Sequence, residues 1–477
     1  MINAIHRRLR IGIAICVAAL AVLGLSAPAA GAAIGANLSL DQSAGTRAGA
    51  ATNLGLELKF TDSGTDSPHN LNITLPPGLL ANASMNGGAC LTSRNVSGAA
   101  CRVGTGAVTA VPDLLGIIGV PLPVSVPVSF YLVPPPAAGD LAGLAVIGLG
   151  EQLGSTGAIR IRPSGDPAGV GVTIALALPN QLPLTLPGLP PVNLTQISLT
   201  EIKSTFDDLR YPATCPRTPA RLGVTIDSYA DPTTHAVSAP LSVTGCAALP
   251  YAPAFKTTAT RDRTDRQVKL DTTVTQAANE APSRSIILTF PTATLAPNLA
   301  SIAALCLNPA SGTCQPVGAV SASSPLYPTP LAGKAYLTGS PSGLSLTLAF
   351  PAPFPLTLTG AVNLLTDSAT FIGVPDIPLT NLTVSLAGGA QGLFLTTCQT
   401  PAGTATATLT DQNGDRTVAV PSAFTVSGCS STAAGSRPGA AGRNGSGFGG
   451  MAGAGSSLRR YGRAVTRRVS RSARQLR

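Results

Sequence analysis

The sequence predicts an all-β fold of two tandem, disulfide-braced β-sandwich (Ig-like) modules from an internal duplication, with a signal peptide before them and a basic tail after them. First, 51 glycines and 42 prolines among 477 residues favour frequent turns over long helices. Second, eight cysteines fall into two sets of four with one layout. Third, segments such as ARLGVTID (220–227) and TATATLTD (404–411) alternate apolar with polar residues, which is the period of a half-buried strand.

The first 33 residues have the pattern of a secretory signal peptide. Arg7, Arg8 and Arg10 precede the apolar run IGIAICVAALAVLGL (11–25), and the small residues of SAPAAGAA (26–33) offer cleavage sites within 29–33. The apolar run is too short to favour a membrane span. We therefore expect a secreted or extracellular protein, with no transmembrane span in its mature form.

Charge is unevenly distributed along the chain. Of the 31 basic residues, three lie in the signal peptide and ten lie after residue 430, which leaves 18 in the body beside all 21 acidic residues. A nearly neutral body disfavours nucleic-acid binding, which needs a basic face. No nucleic acid is therefore expected as a partner.

The cysteines other than Cys16 form a close pair and a wide pair in each half of the chain, and the wide pairs share a spacing of 31 residues. An exported protein meets an oxidising compartment, and these spacings lack the short knuckles of zinc sites, so we predict disulfides. The predicted bridges are Cys90 with Cys101, Cys215 with Cys246, Cys306 with Cys314, and Cys398 with Cys429.

Short motifs recur in the same order in both halves, which predicts a module at 34–249 and a second at 250–430. The matching pairs are NITLP (72–76) with ILTFP (287–291), CRVGTGAV (101–108) with CQPVGAV (314–320), FYL (130–132) with AYL (335–337), NLTQISL (193–199) with NLTVSL (381–386), and PLSVTGC (240–246) with AFTVSGC (423–429). Each wide cysteine pair is expected to bridge the open ends of a hairpin.

This order of motifs, from TLPPGLL (74–80) through the close cysteine pair to SAFTVSGC (422–429), resembles a repeat of large exported proteins in high-GC Gram-positive bacteria. That family has no assigned activity. The resemblance implies an exported β-rich repeat and no catalytic residue to carry over. The first module departs from the repeat at 112–128 and around TEIKSTFDDLRYPATC (200–215).

The duplication also tests for catalytic residues, because a catalytic set that both modules share must occur in both copies. His69 and His235 have no counterpart in the second module, and the adjacent Asp207 and Asp208 are expected to face opposite sides of a strand. We therefore predict no enzyme, no catalytic residue and no cofactor-binding or metal-binding residue.

Two charged segments receive structural interpretations. DQNGD (411–415) resembles the start of a calcium loop but lacks its glycine and glutamate, so we predict a hairpin turn with Asn413 and Gly414 at positive φ. The run RDRTDRQVKLD (261–271) alternates in sign at strand period, which is typical of an exposed edge strand.

The C-terminal segment is predicted to be a flexible Gly/Ser/Ala linker (431–457) and an Arg-rich amphipathic tail (458–477). Anionic cell-envelope polymers or lipid are its expected partners, and a disordered tail that only aids solubility is the alternative. The arginines concerned are Arg459, Arg460, Arg463, Arg467, Arg468, Arg471, Arg474 and Arg477.

Together these features predict an exported, non-enzymatic structural or adhesion-type protein of the cell surface, held to the envelope by its basic tail. The alternative function is a ligand-binding module that uses the apolar insertions of the first module, 112–128 and 178–192. The identity of a ligand and the arrangement of the two modules stay open at this point.

Overall fold

The computed structural model describes residues 34–61, 66–94, 96, 98–112, 123–184, 192–195, 197–261, 266–309, 313–340, 343–389 and 392–429. The predicted signal peptide, linker and basic tail lie outside these residues, as do parts of both insertions. No helix in the described ranges is long and apolar enough to cross a membrane.

The first half of the chain forms fourteen strands within the described residues. They are β1 (Gly35–Asp41), β2 (Ala51–Thr61), β3 (Pro68–Thr74), β4 (Arg102–Pro112), β5 (Val124–Val133), β6 (Ala142–Gly148), β7 (Glu151–Gln152), β8 (Gly157–Ile161), β9 (Val172–Ala177), β10 (Gln181–Leu184), β11 (Val192–Thr195), β12 (Ile197–Arg210), β13 (Ala220–Ser228) and β14 (His235–Leu241).

The second half forms thirteen strands in the part of the chain that the structure describes. They are β15 (Ala254–Arg261), β16 (Gln267–Thr275), β17 (Ser283–Thr289), β18 (Ala296–Pro297), β19 (Gly318–Ser323), β20 (Leu331–Ser340), β21 (Gly343–Ala349), β22 (Thr357–Asn363), β23 (Ser368–Ile372), β24 (Asn381–Leu386), β25 (Phe394–Leu395), β26 (Ala402–Asp411) and β27 (Thr417–Ser427). Short 3₁₀ helices lie at Met85–Leu91, Cys246–Ala248 and Leu299–Ala304.

Both halves use one strand order. The first sheet runs β1-β2-β12-β4-β5-β6-β8-β9-β3-β13-β14, and the second runs β15-β16-β24-β19-β20-β21-β22-β23-β17-β26-β27. In the second, β15 also pairs with β27, so the sheet closes on itself. In the first, the amide of Gln42 closes the gap beyond β1 by donating to Ser242 O and accepting from Ser242 N, both at 3.0 Å. The prediction of an all-β protein of two modules is therefore confirmed, and each module is a barrel-like sandwich.

The apolar residues of the alternating segments, from which the strands were predicted, face the interior. Leu222, Val224 and Ile226 of β13 are buried, and so are Ala405 and Leu409 of β26. Between them lie the polar residues, which are less buried. The period-two pattern therefore reports a sheet with one face on a core.

All four predicted disulfides are present. The Cys215–Cys246 bridge closes the open ends of the β13–β14 hairpin, with Cα atoms 5.9 Å apart. The Cys398–Cys429 bridge does the same for β26–β27, with Cα atoms 5.4 Å apart. The Cys90–Cys101 and Cys306–Cys314 bridges close the short loops.

The prediction of an edge strand within 261–271 is wrong. Strand β16 lies between β15 and β24 and pairs with both. Its Val268 and Leu270 point into the core, whereas Lys269 and Asp271 form an ion pair of 3.0 Å on the outer face. Alternating charges therefore mark the solvated face of a central strand here.

Candidate functional site

The two modules pack against each other through a surface that we call the module junction. Ala83 N donates to Leu326 O at 2.9 Å, and Arg210 Nη1 donates to Ala278 O at 2.9 Å. The described residues of both modules belong to one compact unit.

The DQNGD turn is part of this junction. The Asp411 carboxylate accepts from the backbone N–H of Gly414 at 2.8 Å and of Asp415 at 3.0 Å, which makes a hairpin turn, as predicted. Gly414 has the expected positive φ of 80°. Asn413 is not among the described residues with positive φ, so that part of the prediction is wrong.

Side chains of this turn hold the end of the first module. The Asn413 amide accepts from Cys215 N and donates to Ala213 O, both at 3.1 Å. Arg416 Nη2 donates to Ala247 O at 2.7 Å and also to Leu249 O. The turn therefore supplies specific polar contacts between the modules, and no group of three or more His, Cys, Asp or Glu in the described residues could hold a metal ion.

A buried carboxylate lies beside this contact. Asp376 Oδ2 accepts from Ala213 N at 2.8 Å and from Thr214 Oγ1 at 3.4 Å. Burial raises the pKa of Asp376 to about 6, although the Ala213 N–H and the charge of Arg210 both act in the opposite direction. Burial also lowers the pKa of Arg210. The junction thus contains an acid that titrates near neutral pH.

A groove of about 560 Å³ runs along the junction, with Gly88, Ala138 and Thr329 among its walls. Leu141 and Tyr327 line both this groove and a smaller apolar cavity of about 70 Å³ behind it. Apolar side chains from both modules line that cavity. An open groove next to an apolar cavity has the general composition of a small-molecule site.

The described parts of the two insertions also meet. Val126 belongs to the first insertion and Leu178 to the second, and both line a cavity of about 50 Å³ together with Ile197. Residues 113–122 and 185–191 lie outside the described residues. The candidate ligand site of the first module is therefore apolar where it can be described.

The residues considered as candidate acids and bases, His69, Asp207 and Asp208, lie among other parts of the fold as follows. The rings of His69 and Tyr229 are 4.3 Å apart, and Asp227 accepts from Asn70 N at 2.8 Å. A bulge shifts the register of β12 between Phe206 and Leu209, so Asp207 and Asp208 lie in an irregular part of the strand, and both residues line one cavity.

The tail arginines predicted to bind anionic surfaces lie outside the described residues. The sequence reasoning missed Asp376 and its neighbour Arg210. A charge inside the apolar segment VPDIP (374–378) was the available signal for Asp376.

No protein-family model matches the chain, and no curated protein matches it.

Proposed function

We propose that this protein is an exported, non-enzymatic structural or adhesion-type element of the cell surface, held to anionic envelope components by its Arg-rich tail. The observation that carries the proposal is the module junction, where the Asn413 and Arg416 side chains bind backbone atoms of the first module. Such a junction suits a spacer, because it resists separation of the modules.

Two further features support the proposal. Four disulfides brace the loops and hairpins, which suits an oxidising compartment. The carboxylate of Asp411 accepts hydrogen bonds from backbone N–H groups, and the carboxylate of Asp227 accepts from the backbone N–H and the side-chain amide of Asn70, so both act in holding the fold.

The test compares the full chain with a chain that keeps the linker but ends at residue 457. Both are mixed with isolated cell envelopes at low and at high salt, and bound protein is measured by sedimentation. We expect the full chain to bind at low salt and to be released at high salt, because charge contacts on a surface are screened. Equal retention of the shorter chain would contradict the tethering.

A second candidate function is ligand binding by the insertions of the first module. The shared apolar cavity beside Val126 and Leu178 favours it. Deleting 113–122 leaves strands β4 and β5 intact, so a structural protein is expected to stay folded and envelope-bound. Loss of binding of an apolar fluorescent dye, with the fold retained, would favour the ligand site instead.

A further inference from the structure

A buried carboxylate inside the second module has an oxygen with no partner among the described residues. Asp367 is only 3% exposed, and its Oδ1 has no hydrogen-bond partner within the described residues. It lies in the turn between β22 and β23 with a φ of 44°, a left-handed conformation that is uncommon for a residue other than glycine. An unpaired buried carboxylate is costly, so its presence requires an explanation.

Asp367 lines a cavity of about 60 Å³ whose walls are mostly apolar, including Phe290, Leu337 and Phe394. The other polar groups of the lining have partners within the protein. Three of them donate to backbone carbonyls: Thr272 Oγ1 to Val384 O at 3.2 Å, Asn298 Nδ2 to Gly392 O at 2.7 Å and Ser301 Oγ to Asn298 O at 2.6 Å. Asn363 Oδ1 accepts from Leu365 N at 2.9 Å. The hydroxyls of Ser368 and Thr366 are 2.8 Å apart. Asp367 therefore supplies the unmet hydrogen-bonding capacity of this cavity.

The first module shows that the fold does not need this acid. The backbone contact between Phe290 N and Asp367 O, at 3.0 Å, has its counterpart between Leu75 N and Val172 O, at 2.9 Å. Val172 is 4% exposed and lines a cavity of about 60 Å³ in its own module. A valine thus occupies the equivalent place, and the carboxylate is a particular feature of the second module.

The chemistry of the cavity indicates what Asp367 would bind. Burial raises the pKa of Asp367 to about 6, and no cationic side chain of the described residues forms an ion pair with it. The cavity volume of about 60 Å³ has room for about five atoms, each of the size of a water molecule. Leu299 and Leu365 directly follow the lining residues Asn298 and Leu364 in the chain, and they are 64% and 90% exposed to solvent.

We propose that this cavity is a binding site for the end of an aliphatic primary ammonium ion. The ammonium group donates to the Asp367 carboxylate, and a chain of about four carbons packs against Phe290 and Leu337. Site and ligand are independent of the surface-spacer role and of the insertions in the first module.

The test uses n-butylammonium as the probe and 1-butanol as its uncharged analogue of the same size. Both are titrated onto the intact protein at pH 7.5, and dissociation constants are measured by ligand-observed NMR. We expect n-butylammonium to bind about tenfold more tightly than 1-butanol, because only the cation pairs with the carboxylate.

Two variants test the assignment. Asp367→Asn removes the charge and is expected to fold, because asparagine tolerates the positive φ of 44°. Asp367→Val introduces the residue of the first module; a β-branched residue is strained at that φ, so its fold is checked by circular dichroism before titration. In both, the preference for n-butylammonium should fall to about twofold or less. Asp415→Asn, in the exposed β26–β27 turn, is the control and should leave it unchanged.

Three results would overturn the proposal. They are equal affinity for the two probes, undiminished n-butylammonium binding by Asp367→Val, and no binding of n-butylammonium to the folded wild-type protein. The last result would mean that the cavity holds water only.

Discussion

Replacing Asp376 by asparagine should stabilise the protein at neutral pH. Asp376 is buried at the module junction, where burial raises its pKa to about 6 from the ordinary value of 3.8. Asparagine has the same size and keeps a carbonyl oxygen for the N–H of Ala213. The substitution therefore removes the charge and retains the hydrogen bond.

The expected magnitude follows from the two pKa values. Because the folded pKa is raised, the protonated acid stabilises the folded state below pH 3.8, and this contribution is lost as the pH rises through about 6. At pH 7.5 the wild-type protein has lost about 3 kcal/mol relative to an acid that stays neutral. At pH 5, below the folded pKa, the loss is about half as large. Asp376→Asn should thus be more stable than wild type at both pH values, and its advantage should be smaller at pH 5.

Urea unfolding at both pH values measures this difference. Urea is uncharged and does not screen the Arg210 charge, and tyrosine fluorescence with circular dichroism must report the signal because the chain has no tryptophan. Asp367 has a raised pKa in both proteins, so its contribution cancels. Asp415→Asn is the control for a general effect of charge.

The reasoning would be refuted by an advantage that is the same at pH 5 and pH 7.5. It would also be refuted if Asp376→Asn were less stable than wild type at pH 7.5. That result would mean that the attraction between Asp376 and Arg210 outweighs the cost of burying the carboxylate.

Three further outcomes are expected from urea unfolding and proteolysis. Gly78→Ala should lower the free energy of unfolding by about 1–3 kcal/mol more than Gly87→Ala. Both glycines have positive φ, but only a Cβ added at Gly78 would meet a neighbour, Asp376 Oδ2 at 2.6 Å. Equal losses would contradict a clash at the junction. Replacing both cysteines of the 398–429 bridge by serine should lower the free energy of unfolding by about 3.7 kcal/mol, against about 2.5 kcal/mol for the 306–314 bridge, because the first bridge closes the longer loop. The reverse order would refute the loop-length argument. Arg416→Gln should cost about 1–3 kcal/mol and expose the segment between the modules to protease, which an unchanged cleavage pattern would disprove.

Local patterns predicted much of the fold, because they report the environment of each residue directly. The alternation in β13 and β26 requires one buried face whatever the partner strands are. The repeated spacing of 31 residues predicted the wide bridges, because hairpin ends lie within disulfide range.

The candidate site was less predictable, because its residues are far apart in the chain. Asp376 and Arg210 are neighbours only because the modules pack together, and no local pattern reports that packing. The error at β16 has a similar cause. Whether a strand is central or at an edge depends on strands such as β24, which arrive from more than a hundred residues away.

By itself, the sequence determined that this protein is all-β, duplicated and cross-linked by four bridges, because periodicity and spacing follow from local geometry. Only the tertiary structure decided that each sheet curves into a barrel-like sandwich, that specific polar contacts join the modules, and that Asp367 lines a mostly apolar cavity. Val172 and Asp367 show the physical reason. Their backbones make equivalent contacts, but only the packing of strands that are distant in the chain buries the Asp367 carboxylate beside apolar side chains.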